Sequence, residues 1–182
     1  ASPLARAELA PRDPILGLNE SFNADPNPAK VNLGIGVYTD DNGKVPLLRC
    51  IQKAEKDMAE KAAPRGYLPI DGLAAYDKAA QALIFGAQSE IVTSGRAVTV
   101  QALGGTGALK VGADLLKLLA PSAQVYISEP SWENHRNLFE QAGFVVQSHP
   151  YYDAAAHGVN FAAMKASIEA APAGSIMVLH SC

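Results

Sequence analysis

The sequence predicts an α/β fold in which a mostly parallel sheet carries helices on both faces. Short runs rich in β-branched residues alternate with segments of helical periodicity from residue 97 onward. Strands separated by helices favour parallel pairing, because parallel neighbours need long crossover connections. A chain of 182 residues with 48% hydrophobic and 18% charged residues is large enough to bury one ordinary core.

The first half of the chain precedes this regular alternation. Residues 1–30 contain five of the twelve prolines and little periodicity, which predicts an arm laid over another part of the protein. Residues 30–38 are predicted to be extended, and "DDNG" at 40–43 predicts a turn. Two helices are expected at 47–63 and 72–86. The loop between them carries Tyr67 and is stiffened by prolines 64 and 69.

The second half divides into clear elements. Strands are expected at 97–103, 124–128, 144–148 and 175–179, and helices at 107–119, near 134–142 and at 161–171.

A glycine cluster, "GGTG", joins the first of these strands to its helix. Gly104, Gly105 and Gly107 are expected to adopt backbone angles that a β-carbon resists, which brings N–H groups close to a ligand. The electropositive start of the helix favours an anion, most plausibly a phosphate. A Walker A loop is disfavoured because Lys110 is followed by valine, and a dinucleotide fingerprint lacks its third glycine. A turn that binds nothing remains an alternative.

Ligands of open parallel sheets bind at the carboxyl ends of the strands. Three predicted strands end in "GGTG", "SEPSWENH" and "HSC", so Thr106, Trp132, His135 and His180 are expected to converge on one crevice. Each of these side chains alone is compatible with ordinary packing or helix capping. Together, beside an anion site, they indicate a phosphorylated aromatic cofactor, because tryptophan supplies a stacking face and an imidazole tunes a bound ring.

Charge and cysteine content exclude several other classes. A net charge of −3 without basic runs predicts no nucleic-acid or membrane partner. No signal peptide or membrane span is evident, so a cytoplasmic enzyme is expected. Cys50 and Cys182 are expected to be reduced thiols. Neither a metal-binding histidine pair nor a serine-hydrolase elbow occurs.

Six phrases carry a family resemblance: "DPILGLNESFNAD", "VNLGIGVYTDDNGKVPLL", "GYLPIDGLAAY", "ALGGTGALKVGADLL", "PSWENHRNLFEQAGF" and "VLHSC". In this order they resemble the N-terminal part of class I aspartate and aromatic amino-acid aminotransferases, which use pyridoxal 5'-phosphate. The resemblance implies the large-domain fold of these enzymes. It further implies that residues 1–46 form an N-terminal arm and part of a small domain, and that residues 47–182 begin the cofactor-binding large domain.

The resemblance also implies roles for individual residues. Gly105 and Thr106 would contact the cofactor phosphate, whereas Gly104 stands where some relatives have serine. Trp132 would stack on the pyridine ring and border the substrate carboxylate. Gly36 would line the substrate side, where a side chain would intrude on the amino acid.

Three further roles follow from the same resemblance. Tyr67 would reach the phosphate of a neighbouring subunit, which implies a homodimer with shared sites. His135 and His180 would flank the ring and position other groups without carrying protons. The substrates would be an amino acid, aspartate-like or aromatic, and a 2-oxo acid.

The family's Schiff-base lysine matches none of the nine lysines of this sequence, so no catalytic residue is expected within it. The chain is therefore expected to be incomplete and, without the C-terminal portion of the same enzyme, inactive. A non-catalytic phosphate-binding or nucleotide-binding module and a purely structural fragment are the alternative functions.

Overall fold

The computed structural model describes residues 2–6, 8, 14–34 and 36–180. Its contacts divide the chain into two compact units, Ala1–Arg65 and Gly66–Cys182. The domain boundary predicted after residue 46 stays a prediction.

The first unit contains a 3₁₀ turn at Pro3–Arg6 and two helices, α1 (Pro14–Ala24) and α2 (Arg49–Lys61). Helix α1 lies inside the segment that the sequence predicts to be an arm without regular structure. Its last turn is held by Lys30, whose Nζ donates to the carbonyl oxygens of Phe22 and Asp25 at 2.6 Å. Lysine near a helix end satisfies carbonyl groups that have no partner within the helix.

The connection between α1 and α2 is largely irregular. Residues 36–40 form no strand, but the turn predicted at 40–43 is present. Asp40 Oδ1 accepts from the N–H groups of Asn42 and Lys44 at 2.9 Å, and Gly43 has φ +72°. This is the side-chain to backbone bonding that stabilises Asx turns.

Three helices open the second unit: α3 (Ala74–Phe85), the short α4 (Glu90–Thr93) and α5 (Gly104–Leu119). The helices predicted at 47–63 and 72–86 are confirmed as α2 and α3. The strand predicted at 97–103 is not formed. This segment instead bonds to the start of the unit, with Gln101 N–H donating to Asp71 O at 2.9 Å. A strand requires a hydrogen-bonded neighbour, and no strand of the described chain pairs with it.

A parallel three-stranded sheet follows, built from β1 (Gln124–Glu129), β2 (Val145–Pro150) and β5 (Ile176–Met177) in the order β2-β1-β5. Helix α6 (Glu133–Gln141) connects β1 to β2, and α7 (Phe161–Ala170) connects β2 to β5. The two crossovers run in opposite directions across the sheet, so right-handed connections place α6 and α7 on opposite faces. The predicted parallel sheet with helices on both faces is thereby confirmed.

A short antiparallel hairpin, β3 (Tyr152–Asp153) and β4 (Gly158–Val159), interrupts the second crossover and was not predicted. The core lies between β1, β2 and helices α5 and α6. Its buried apolar members are Ala113, Val125, Ile127, Phe139, Phe144 and Val146. No helix of the described residues is long and apolar enough to cross a membrane.

Candidate functional site

The carboxyl end of β1 leads directly into the loop that carries Trp132. The Glu129–Pro130 peptide bond is cis, and Trp132 is the cap residue that precedes α6. Trp132 keeps 38% of its surface exposed, so part of its indole is available to a ligand. An aromatic surface at a strand end provides a flat apolar contact for a ring.

Two histidines lie beside this tryptophan. The Trp132 and His135 rings meet edge to face with centroids 5.3 Å apart, and the His135 and His180 rings do so at 4.6 Å. His135 lies on the first turn of α6, and His180 follows β5, the strand next to β1. Because parallel neighbours end at the same edge of the sheet, the two imidazoles meet there.

Ser131 completes this cluster. Its Oγ lies 3.0 Å from His135 Nδ1 and 3.3 Å from His180 Nε2. Ser131 was not among the site residues predicted from the sequence. Its position four residues before His135, just ahead of the helix, was the signal that one helical turn would separate the two side chains.

The electrostatics of the cluster favour neutral imidazole at His135. Burial lowers the pKa of His135 below its ordinary value of 6.5, and the neighbouring His180 lowers it further. A neutral imidazole retains one donor and one acceptor nitrogen, so it can orient a neighbouring polar group without adding positive charge.

Open space lies on two sides of Trp132. One cavity of about 340 Å³ is lined by Pro130, Ser131, Trp132, Tyr152 and His180 among others. A second, of about 430 Å³, extends from Trp132 along α6 and includes Asn137. Both volumes lie within the range of small-molecule sites.

The glycine cluster forms the first turn of α5, not a loop ahead of it. Gly104 has φ +64°, so this position does require glycine. Positive φ is not found at Gly105 or Gly107, which corrects the expectation that all three glycines adopt unusual angles. The first bond of the helix runs from Gly107 N–H to Leu103 O at 3.2 Å. The N–H groups of Gly105 and Thr106 precede it, at the helix end where N–H groups lack partners within the helix and an anion is favoured.

Thr106 lines a separate cavity of about 630 Å³ between α5 and α6. This cavity shares Asn137 with the second cavity at Trp132. The structure therefore joins Trp132, His135 and His180 into one contact cluster, with the glycine turn on the adjoining helix.

The remaining predicted residues lie apart from this cluster. Tyr67 is fully exposed in the loop before α3. Gly36 belongs to the first unit, and a β-carbon built there would meet no atom within 4 Å. Cys50 is exposed and free, while Ser181 and Cys182 lie outside the described residues. Among the described residues no group of three or more metal-binding side chains is found.

Comparison with protein-family models identifies the class. The model for aminotransferase class I and II matches residues 28–182. The chain belongs to this family, whose members depend on pyridoxal phosphate.

Two similar proteins are aspartate aminotransferases. The chain is 63% identical over 175 residues to an aspartate aminotransferase of Pseudomonas aeruginosa, covering 96% of this chain and 44% of that protein. It is 44% identical over 173 residues to an aspartate aminotransferase of Escherichia coli, covering 95% and 44%.

Two solved structures of aromatic amino-acid aminotransferases are also similar to this chain. An aromatic-amino-acid aminotransferase of Burkholderia pseudomallei, covalently bound to pyridoxal phosphate, superposes with TM-score 0.90 at 60% identity over 100% of this chain and 46% of that one. An aromatic amino-acid aminotransferase of Psychrobacter, crystallised with aspartic acid, gives 0.89 at 42% identity over 98% and 45%. The chain thus spans less than half the length of these relatives.

Proposed function

We propose that the protein containing this chain is an aminotransferase that moves an amino group between an aspartate-like or aromatic amino acid and a 2-oxo acid. The observation that carries the proposal is the Trp132, His135 and His180 cluster at the carboxyl ends of β1 and β5. Membership of the aminotransferase class I and II family supports it. A non-catalytic phosphate-binding module is not favoured, because it would not account for this family match.

The residues present fit pyridoxal 5'-phosphate. The first-turn N–H groups of Gly105 and Thr106, with the Thr106 hydroxyl, would bind the phosphate at the positive end of the α5 dipole. The half-exposed indole of Trp132 would contact the pyridine ring. When bound, this cofactor supplies an electron sink that allows a proton to leave the amino acid's α-carbon.

His135 and His180 would act as positioning residues. Their mutual contact and the Ser131 hydroxyl restrict both rings, and the lowered pKa keeps His135 neutral. A neutral imidazole at the rim of the site would hold a neighbouring polar group in place. Lys110 lines the cavity that contains Thr106, and no lysine lines the two cavities at Trp132. Because the family's Schiff-base lysine matches none of the nine lysines of this sequence, the covalent attachment point for the cofactor would come from elsewhere in the complete protein.

The substrate side would involve Gly36 and Trp132. The open space around the Gly36 α-carbon is compatible with an amino acid passing close to the backbone there. The similar proteins include both aspartate and aromatic amino-acid aminotransferases. We therefore propose both substrate classes.

Tyr67 would serve a second subunit. Its side chain is fully exposed, and its hydroxyl would reach the phosphate across a homodimer interface. We further propose that the enzyme works in the cytoplasm.

Tryptophan fluorescence tests the cofactor assignment. The cofactor-free complete protein is titrated separately with pyridoxal phosphate and with NAD, alongside a Trp132→Phe variant that isolates the signal of this residue. The proposal requires quenching of the Trp132 signal by pyridoxal phosphate alone. Quenching by NAD, or no change with either compound, would refute it.

A further inference from the structure

Two buried polar side chains lie next to each other on the parallel sheet. Ser128 on β1 is 4% exposed and His149 on β2 is 1% exposed. They are register partners in the β1–β2 ladder, so their side chains project from the same face of the sheet. Neither residue belongs to the Trp132 and histidine cluster.

One of the two ring nitrogens of His149 has a hydrogen-bond partner on its own strand. His149 Nδ1 lies 3.1 Å from the carbonyl oxygen of Pro150, which can only accept, so Nδ1 carries the proton. In the tautomer with the proton on Nδ1, Nε2 is an acceptor that needs a donor. Within the described residues neither His149 Nε2 nor Ser128 Oγ has a hydrogen-bond partner. Buried polar atoms are rarely left in this condition.

Both side chains line one cavity. Its volume is about 260 Å³, and its other walls include Tyr151, Met164, Val178 and His180. Because a water molecule occupies about 30 Å³ in the liquid, the cavity has room for several. Water in a protein interior settles where a cavity offers it polar partners, and here two such atoms face the same space.

We infer that this cavity is a hydration site in which one ordered water donates to His149 Nε2 and hydrogen-bonds Ser128 Oγ. Water fits these two atoms because it can donate to the imidazole and either donate to or accept from the hydroxyl. A metal ion fits them poorly, since no carboxylate or cysteine of the described chain lines the cavity.

The water lies behind the candidate site. Ser128, Tyr151 and His180 line both this cavity and the 340 Å³ cavity at Trp132. The hydrated cavity therefore forms part of the wall that supports His180.

A crystal structure of the complete protein, with a second crystal pressurised with xenon, tests this site. We expect a water peak within hydrogen-bond distance of both His149 Nε2 and Ser128 Oγ, and no xenon in the cavity. Xenon binding in the unaltered protein would overturn the inference, because it marks a dry apolar cavity. A side chain bonded directly to either atom, or a larger molecule in place of water, would overturn it as well.

A Ser128→Ala variant sharpens the test. Removal of the hydroxyl should weaken or abolish the water peak, whereas Ser175→Ala, the same change at a serine that does not line the cavity, should leave it intact. The double variant Ser128→Ala, His149→Phe removes both of the buried polar atoms that the water would bridge and should lose the water peak altogether. If the double variant fails to fold, the Ser128→Ala and Ser175→Ala variants still test the inference. An unchanged water peak in Ser128→Ala would contradict a water that bridges His149 Nε2 and Ser128 Oγ.

Discussion

His180 Nε2 lies 3.1 Å from His135 Nδ1, so the imidazole that follows β5 and the imidazole on the first turn of α6 are hydrogen-bonded to each other. Such a bond needs one N–H and one lone pair, and therefore only one of the two facing nitrogens carries a proton. Ser131 Oγ approaches both rings and can serve as donor or acceptor to either. Burial and, secondly, the neighbouring His180 lower the pKa of His135, which favours its neutral form.

The first prediction concerns the titration of His135. Its pKa should lie below 6.5, chiefly because of burial and secondly because of His180. NMR titration of imidazole signals, assigned with a His135→Gln variant of the complete protein, measures it. A His180→Gln variant should raise the pKa of His135 only in part, since burial remains. A wild-type value at or above 6.5 would be inconsistent with this environment.

This lowered pKa has a consequence for stability. The unfolded state binds a proton at His135 more readily than the folded state does, so acidification favours unfolding. The contribution of His135 to the free energy of unfolding should be fully present above the ordinary value of 6.5 and should diminish as the pH falls below it. Denaturant unfolding at several pH values should show a weaker loss of stability on acidification in His135→Gln. Parallel curves for the variant and the wild type would contradict the assignment.

The second prediction concerns the phosphate turn. A β-carbon at Gly105 would meet no atom within 4 Å, so Gly105→Asp should fold. Its carboxylate would repel a phosphate, and two like charges about 4 Å apart near a surface repel by about 4 kcal/mol before screening. Cofactor affinity in the complete protein should therefore fall by on the order of a hundredfold or more.

Gly112→Asp is the matched control for this change. Gly112 lies on the same helix and is equally free of nearby atoms, so the variant should retain affinity. Thr106→Val, which removes one hydroxyl, should weaken binding by about tenfold or more, as expected for a hydrogen bond to a charged group. Unchanged cofactor affinity in Gly105→Asp would show that the phosphate does not bind at this turn.

The third prediction concerns Tyr67. A Tyr67→Phe subunit is combined with a subunit that lacks the cofactor-binding lysine of the complete enzyme. If Tyr67 acts across the interface, one site of the heterodimer carries both defects and the other is intact, so about half of the wild-type activity per dimer should remain. Tyr76→Phe, at a partly exposed tyrosine on α3, is the control. Impairment of both sites would place Tyr67 within its own subunit.

The fourth prediction concerns the core. Phe139 on α6 is 4% exposed and packs against Phe144, with ring centroids 6.1 Å apart. Phe139→Ala should lower the free energy of unfolding by about 3–5 kcal/mol, as large-to-small core substitutions do. Phe161→Ala, at a phenylalanine that is 64% exposed, should cost much less. Denaturant unfolding of both variants compares them, and equal losses would contradict this assignment of the core.

The sequence predicts a strand correctly where the neighbouring strand that pairs with it also lies in this chain. The apolar runs at 124–128 and 144–148 became β1 and β2 because each pairs with the other. The equally convincing run at 97–103 formed no strand, since pairing depends on a neighbour that local pattern does not reveal. Helix α1 was missed because frequent prolines around it obscured a short helical pattern.

The candidate site, like the sheet, was predicted only in part. The rule that ligands bind at strand ends brought Trp132, His135 and His180 together correctly. The rule did not reveal Ser131 between the rings, because hydrogen bonds within a loop depend on side-chain geometry. Of the three glycines that could take angles a β-carbon resists, Gly104 does so, whereas the helix begins early enough to give Gly105 and Gly107 ordinary ones.

Amino-group transfer is the most direct test of the proposed function. The complete protein and residues 1–182 alone are each supplied with aspartate or an aromatic amino acid and a 2-oxo acid, with and without pyridoxal phosphate. We predict transfer by the complete protein that depends on the cofactor and is lost in Gly105→Asp but not in Gly112→Asp. Residues 1–182 alone should give none, since the family's Schiff-base lysine matches none of the nine lysines of this sequence. Transfer by residues 1–182 alone, or none by the complete protein with any of these amino donors, would contradict the account.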